Sequence, residues 1–438
     1  MTRLSAVNRA RLGRLLRTFR EVYAETESLS RATAHSARFV GKKILPLTRY
    51  SLATFARFFV GKHLHYENRQ LRKVFPVLGV RILGGIGDYI VIARFMRDLL
   101  ASIEPAVFDI YSNKPKLATW IFSSLPGFRN SFDEAVFAPT KPGYTAAAQI
   151  SQFIMIDDRL ATSGDLPLFP LLLRVVVALR AFQPSIAPII AEHPRLDSFL
   201  AQKAIFANRT RSDYLHYTAG LVYAGDELSI GMTDNAKRAC DLPGRRYVTV
   251  HNGYDPNMVV SHERATKCYP HFGDVITRLR IRHPDMLFVQ VGIHTSARID
   301  EADINLISKT SLPDVAGLIR GAVLHIDNEG GLVHLARAMG TVSCVVYGPT
   351  SSRYFGYSAN INIDPAFCGG CWWINETWMN HCPRGFATAR CMTEQPASAV
   401  ADAVDRFLRT RSAHEHPIDY AGVPAGKVKI NPSTSPVV

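Results

Sequence analysis

The chain has 438 residues, 47% of them hydrophobic and 20% charged, with a formal net charge of +14. That length exceeds one ordinary core, so two or three domains are expected. Arginines near the start are not followed by an apolar core and a cleavage site, which argues against a secretory signal and makes a cytoplasmic location the expectation.

The charge is uneven: residues 1–75 hold 16 Lys/Arg against 4 Asp/Glu, a net +12, which leaves +2 for the rest. In this extension Leu4, Val7, Leu12, Leu15, Leu16, Phe19, Val22 and Tyr23 fall on one helical face, with Arg3, Arg11, Arg14, Arg17 and Arg20 filling much of the remainder. A second apolar cluster, Tyr50, Leu52, Phe55, Phe58 and Phe59, is flanked by Arg49, Arg57 and Lys62. Basic amphipathic helices suit an anionic membrane surface at the inner face of the cytoplasmic membrane. They equally suit a helical hairpin packed on the following domains. Nucleic acid is disfavoured, because no recognisable nucleic-acid module accompanies the charge.

After Pro76 the pattern predicts a strand at Val77–Leu83, a glycine turn Gly84-Gly85-Ile86-Gly87-Asp88 and an amphipathic helix Tyr89–Leu100. A strand at Val107–Tyr111, a helix at Leu117–Leu125, strands at Ala135–Ala138 and Phe153–Ile156 and a helix at Pro194–Ala207 follow. Between them Leu166–Leu179 is the nearest approach to a membrane span. Pro167, Pro170 and Arg174 interrupt it, so a buried helix is expected. A polar stretch, Asn235–Arg246, precedes a second alternation: strand Tyr247–His251, helix Phe272–Arg282, strand Leu287–Val291, helix Leu312–Arg320 and strand Ala322–Ile326. Asp327-Asn328-Glu329-Gly330-Gly331 then turns into a helix, Leu332–Met339, with Gly340 where a C-cap glycine belongs, and Val342–Tyr347 is the next strand.

The alternation predicts two doubly wound α/β domains with a cleft between them, one at 76–240 and one at 241–411. They are preceded by the extension 1–75 and followed by a flexible tail 412–438 rich in Pro, Ser and His. Ligands in such sheets sit at the carboxyl ends of the strands, where both glycine turns open. Gly330 and Gly331 at a helix mouth let backbone N–H groups and the helix dipole approach an anion.

Asp88 has two readings, an N-cap for the following helix or a general base taking a proton from a hydroxyl. Lys267, in Thr266-Lys267-Cys268-Tyr269-Pro270, is either solvated or a point charge for a diphosphate. His251-Asn252-Gly253 closes the first strand of the second sheet and would line the cleft. His334, one turn into its helix, either contacts a phosphate or packs beneath the loop. Cys368, Cys371, Cys382 and Cys391 crowd into 24 residues, a spacing that suits a closed structural zinc or iron site. Disulfides and free thiols compete with it.

The motifs Gly84–Asp88, Thr266–Pro270, Glu329-Gly330-Gly331-Leu332-Val333-His334 and Gly348-Pro349-Thr350 stand in the order found in glycosyltransferase family 9, which this chain resembles from about Val77 to Leu408. The resemblance implies a GT-B fold with two Rossmann-like domains, acceptor on the first (76–240) and nucleotide-sugar on the second (241–411, which includes the cysteine cluster 368–391), and inverting sugar transfer without a catalytic metal. The sugar, heptose-like, would pass from a nucleotide-diphosphate donor to a hydroxyl of a glycan, lipid-linked glycan or protein. It implies Asp88 as general base and Lys267 near the diphosphate. Glu329 stands at a position usually Asp, Gly330-Gly331-Leu332 are the phosphate-holding amides, and His334 is the motif histidine. Tyr269 stands where the family has Trp. The cysteine cluster resembles the iron motif of autotransporter heptosyltransferases. A nicotinamide oxidoreductase is disfavoured, because neither turn is a G-x-G-x-x-G with an acidic residue about 20 positions on. A binding protein without catalysis is the other alternative.

Overall fold

In the computed structural model of the protein, residues 63–64, 66–156, 164–256, 258, 260–261 and 264–412 are described. The basic helices expected within residues 1–62 and nearly all of the expected tail lie outside them.

The first sheet follows the apolar runs of the sequence. Its strands are β1 (Val77–Ile82), β2 (Val107–Ser112), β3 (Phe128–Asp133), β4 (Ala146–Ile150) and β5 (Ile154–Ile156), in the order β3-β2-β1-β4-β5. All neighbours are parallel except β4 and β5, which pair antiparallel. This departs from a wholly parallel sheet, and the reason is the short Ser151–Phe153 turn, too short for the crossover that parallel strands require. The strand expected at Ala135–Ala138 is instead a 3-10 turn, Glu134–Val136, running into a one-turn helix, Phe137–Thr140. Of the two edge strands, β3 has a sequence, Phe-Arg-Asn-Ser-Phe-Asp, with too little apolar alternation to announce itself.

Helix α1 (Ile86–Ser102) crosses from β1, and α2 (Pro115–Phe122) crosses from β2. Helices α3 (Pro170–Phe182), α4 (Asp197–Phe206) and α5 (Tyr214–Ala219) complete the region. The expectation of a buried helix near Leu166–Leu179 is corrected. Leu172, Val175, Val176 and Leu179 are buried, but Leu171 and Val177 are exposed. The stretch Pro170–Glu192 is long and apolar enough to cross a membrane by length and composition, yet only 28% of its apolar 18-residue segment is buried.

The second sheet contains β6 (Tyr247–Val250), β7 (Leu287–Gln290), β8 (Ile304–Asn305), β9 (Leu324–Asn328), β10 (Ser343–Val346) and β11 (Ile361–Ile363), ordered β11-β10-β9-β6-β7-β8 and parallel throughout. Counted from β6, this is the 3-2-1-4-5-6 order of a Rossmann sheet, whose direction reverses between β6 and β9. Its helices are α6 (Phe272–Arg282), α7 (Leu312–Gly321), α8 (Gly331–Ala338) and α9 (Ala397–Ser412). α7 begins with a Ser311–Asp314 capping box.

The two halves share apolar packing. Phe95 and Met96 of α1 belong to one buried cluster with Leu332, Leu335 and Ala336 of α8. α1 and α8 therefore pack against each other.

Candidate active site

At the switch point of the first sheet, the turn after β1 presents Asp88. The residue is not the N-cap expected from the sequence. It is the third residue of α1, and its Oδ2 accepts the N–H of Gly85, the true N-cap, at 2.9 Å. Gly84, at φ +135°, makes the turn into that helix. Oδ1 accepts from Gln152 Nε2 at 2.8 Å, just beyond β4, and from Arg211 Nη2 at 2.9 Å. Arg211 is buried; it also donates to Ser151 O at 3.0 Å, while its Nη1 has no partner. Neither Gln152 nor Arg211 was foreseen from sequence. Both approach Asp88 only through sheet order and chain return, and no local pattern marks them.

At the switch point of the second sheet, β6 ends in His251-Asn252-Gly253 and β9 in Asp327-Asn328-Glu329. Asp327 is fully buried; His251 Nδ1 stands 2.8 Å from its Oδ1 and His325 Nε2 3.3 Å from its Oδ2. Burial opposes the charge on Asp327, but the two imidazoles outweigh it and hold its carboxyl below the usual aspartate range. Asn252, expected at the donor, uses its amide elsewhere: Nδ2 donates to Tyr269 O at 2.8 Å and Oδ1 accepts Tyr269 N–H at 3.1 Å. It fastens the loop that carries Lys267. Gly253 is required by space, since a Cβ there would lie 2.7 Å from both His251 Nε2 and Ser296 Oγ. Its carbonyl accepts from Asn328 Nδ2 at 3.0 Å.

Lys267 is not a solvated lysine. It is 9% exposed, and its Nζ donates to Glu329 Oε2 at 3.2 Å. Its neighbour Thr266 is tied to the cysteine-rich segment, donating from N to Met379 O at 2.9 Å and from Oγ1 to Trp378 O at 2.7 Å. Tyr269 is buried and donates its hydroxyl to Gln395 O.

The two glycine turns meet. A Cβ on Gly87 would lie 2.5 Å from His334 Cδ2 and 3.4 Å from Gly331 Cα; one on Gly331 would overlap Cγ2 of Ile86. The N-terminus of α8, with Gly330, Gly331 and the buried Leu332, is thus pressed to the turn that holds Asp88. His334 packs beneath the loop, donating or accepting at Nδ1 with Tyr357 Oη, 2.6 Å away; Arg94 donates to the same hydroxyl at 2.6 Å. Burial first, then Arg94, Arg211 and Lys267, hold His334 well below its ordinary pKa, so its imidazole is neutral.

The four cysteines of 368–391 are free, and their thiols share one neighbourhood. Cys391 hydrogen-bonds Cys368 and is raised by burial and by Cys368, Cys371 and Cys382; Cys371 is pushed up to about 11, chiefly by burial. Nevertheless, among the described residues no group of three or more His, Cys, Asp or Glu side chains is arranged to hold a metal ion.

The model of glycosyltransferase family 9 (heptosyltransferase) matches residues 253–364, a span running from the end of β6 past Glu329-Gly330-Gly331 to β11. The chain resembles glycosyltransferase family 9. Lipooligosaccharide heptosyltransferase 2 of Haemophilus influenzae is 25% identical over 204 residues, which are 47% of this chain and 53% of that protein. The chain thus matches about half the length of that curated relative. Among solved structures, TibC of enterotoxigenic Escherichia coli, an iron-containing dodecameric heptosyltransferase captured with ADP-D-beta-D-heptose, aligns with a TM-score of 0.50 at 14% identity over 77% of each chain. At that identity the likeness speaks to fold alone, and it matches two Rossmann-like domains in the GT-B arrangement.

Proposed function

We propose that this protein is an inverting glycosyltransferase that needs no catalytic metal. It would move a heptose-like sugar from a nucleotide-diphosphate donor to a hydroxyl of a glycan, lipid-linked glycan or protein. The observation that carries the reading is the junction of Gly87 with Gly331 and His334, which sets a carboxylate beside the mouth of an anion-favouring helix. In this mechanism the acceptor oxygen attacks the anomeric carbon, and its proton passes to the Asp88 carboxylate. The bond from that carbon to the diphosphate oxygen breaks with its electron pair. Lys267 and the amides of Gly330, Gly331 and Leu332 stabilise the departing charge. Glu329 holds the Lys267 ammonium in place, Gln152 and Arg211 orient Asp88, and neutral His334 supports the loop from below.

The same reading assigns a structural zinc or iron to Cys368, Cys371, Cys382 and Cys391. What supports it is the shared neighbourhood of the thiols; a bound cation would take them as thiolates and so reverse the upward shifts at Cys371 and Cys391. The reading also places the protein in the cytoplasm, with its basic N-terminal extension at the inner face of the membrane.

Titration with a panel of nucleotide-diphosphate sugars, ADP-heptose included, tests the donor assignment. The expected result is saturable binding that Lys267→Ala weakens by about 1–3 kcal/mol, roughly 5- to 150-fold. No binding of any member, or an unchanged affinity in the variant, would remove the diphosphate role from Lys267.

A further inference from the structure

The face built by α3, α4 and α5 is apolar where a soluble domain is polar. On α3, Leu171, Arg174 and Val177 line one exposed stripe while the opposite side packs into the first sheet; Val177 is 53% exposed. The stripe runs into a groove of about 340 Å³ between α3, α4 and α5, edged by Phe206, which is 94% exposed, and Tyr217. The packing that makes the groove is aromatic: Phe182 meets Tyr214 and Tyr217 edge-on. Cations rim it. Lys203 Nζ stands 5.8 Å from the Phe182 ring centre and Arg174 interrupts the stripe itself, while Arg209, 5.1 Å over the Tyr217 ring, is already paired with Asp213 at 3.1 Å. A helix apolar on nearly all sides with one side left open needs a cover, and an apolar patch of this kind marks a binding surface.

We infer that this face docks on the surface of an anionic lipid bilayer, with Leu171, Val177, Phe206 and Tyr217 entering the interface and Arg174 and Lys203 meeting headgroup phosphates. Charge selects this occupant over two others. Residues 1–62 hold 13 Lys/Arg against 3 Asp/Glu, so that segment would bring like charge to a cationic rim. A second copy docking through the same face would set cation against cation. Aromatic and aliphatic side chains interleaved with Lys and Arg are, by contrast, the composition of an interfacial membrane contact. None of Leu171, Val177, Phe206 and Tyr217 is among the residues placed around Asp88 or Lys267, so the inference stands independently of the proposed chemistry.

Hydroxyl-radical footprinting of the full chain, with and without vesicles of phosphatidylglycerol and phosphatidylcholine, reads side-chain exposure directly. Leu171, Val177, Phe206 and Tyr217 should lose reactivity several-fold on anionic vesicles, and less on pure phosphatidylcholine. The double variant Val177→Glu/Phe206→Glu should partition at least tenfold more weakly while its melting temperature stays near that of the parent, because both positions are exposed. Vesicle binding with unchanged reactivity at these four residues, or equal partition of the double variant, would overturn the inference by placing the contact elsewhere. Low reactivity already present without vesicles would overturn it too. Concentration-dependent protection would assign the face to a second copy, and concentration-independent protection to the chain's own extension.

Discussion

Arg211 donates to Oδ1 of Asp88 at 2.9 Å across 123 residues of chain, and the same oxygen accepts from Gln152. A carboxylate that closes a helix cap through Oδ2 while gripped by an arginine through Oδ1 is fixed in direction. That is what a base needs if it is to meet one hydroxyl in one orientation.

Asp88→Asn separates the two roles of this side chain. The amide oxygen can still accept the Gly85 N–H, so the cap largely survives, with a loss of about 1 kcal/mol or less. Transfer should fall by at least a hundredfold while donor affinity stays within about twofold, as steady-state kinetics and donor titration would read. Turnover near the parent level would leave Asp88 a capping residue only. Arg211→Lys should keep the charge but lose the forked geometry, lowering turnover without weakening donor binding.

Gly331→Ala tests the contact between the two glycine turns. Its Cβ would overlap Ile86 and lie 3.2 Å from Gly87 N, so α1 and α8 must separate, with an expected loss of about 1–3 kcal/mol in denaturant unfolding. Gly340→Ala is the control: its Cβ meets nothing within 4 Å, and only the φ of +79° is strained, for about 1 kcal/mol. Equal effects of the two would deny the close approach of the helices.

The depressed pKa of His334 links stability to pH. The folded state holds this imidazole neutral, so it binds fewer protons than the unfolded chain, in which the group titrates near 6.5. The contribution is complete above that value and is lost as pH falls below it toward the folded value. His216, also depressed by burial although Asp98 opposes the shift, acts in the same direction. Melting temperature should therefore decline from pH 7 toward pH 5, and His334→Gln should flatten part of that slope. An unchanged slope would mean that the imidazole is protonated in the fold.

For the cysteine cluster, the expected result is one zinc or iron per purified chain by elemental analysis, lost in Cys368→Ser and Cys382→Ser. Because Thr266 is hydrogen-bonded to the backbone at Trp378 and Met379, the same substitutions should loosen the neighbouring Lys267 and weaken donor binding. Four titratable thiols with no metal would establish free cysteines. Metal loss with donor affinity unchanged would uncouple the two loops.

The local signals in the sequence were reliable wherever a short range decides conformation. The apolar runs located β1, β2, β6, β7 and β10 to within a residue or two, and the Phe272–Arg282 helix at its observed bounds. Glycines beside helix starts marked both working turns, because close approach of backbone is a local requirement. Strands β3 and β4 were missed since their pairing comes from neighbours in the sheet: β4 is a small-residue strand, Ala-Ala-Ala-Gln-Ile, that fits beneath α1 without any alternation of its own.

By itself, then, the amino-acid order determined two α/β units, the position of the turns and the residue types offered there: a carboxylate, a lysine, paired glycines and four thiols. Tertiary structure decided what those groups touch. Asp88 became a cap and an arginine's partner, Lys267 a buried ion pair and Asn252 a loop fastener, and the apolar helix near Leu171 kept one side open. Each of these outcomes depends on contacts between residues far apart in sequence, whose energies come from burial and directional hydrogen bonds set by sheet order. No local periodicity encodes them.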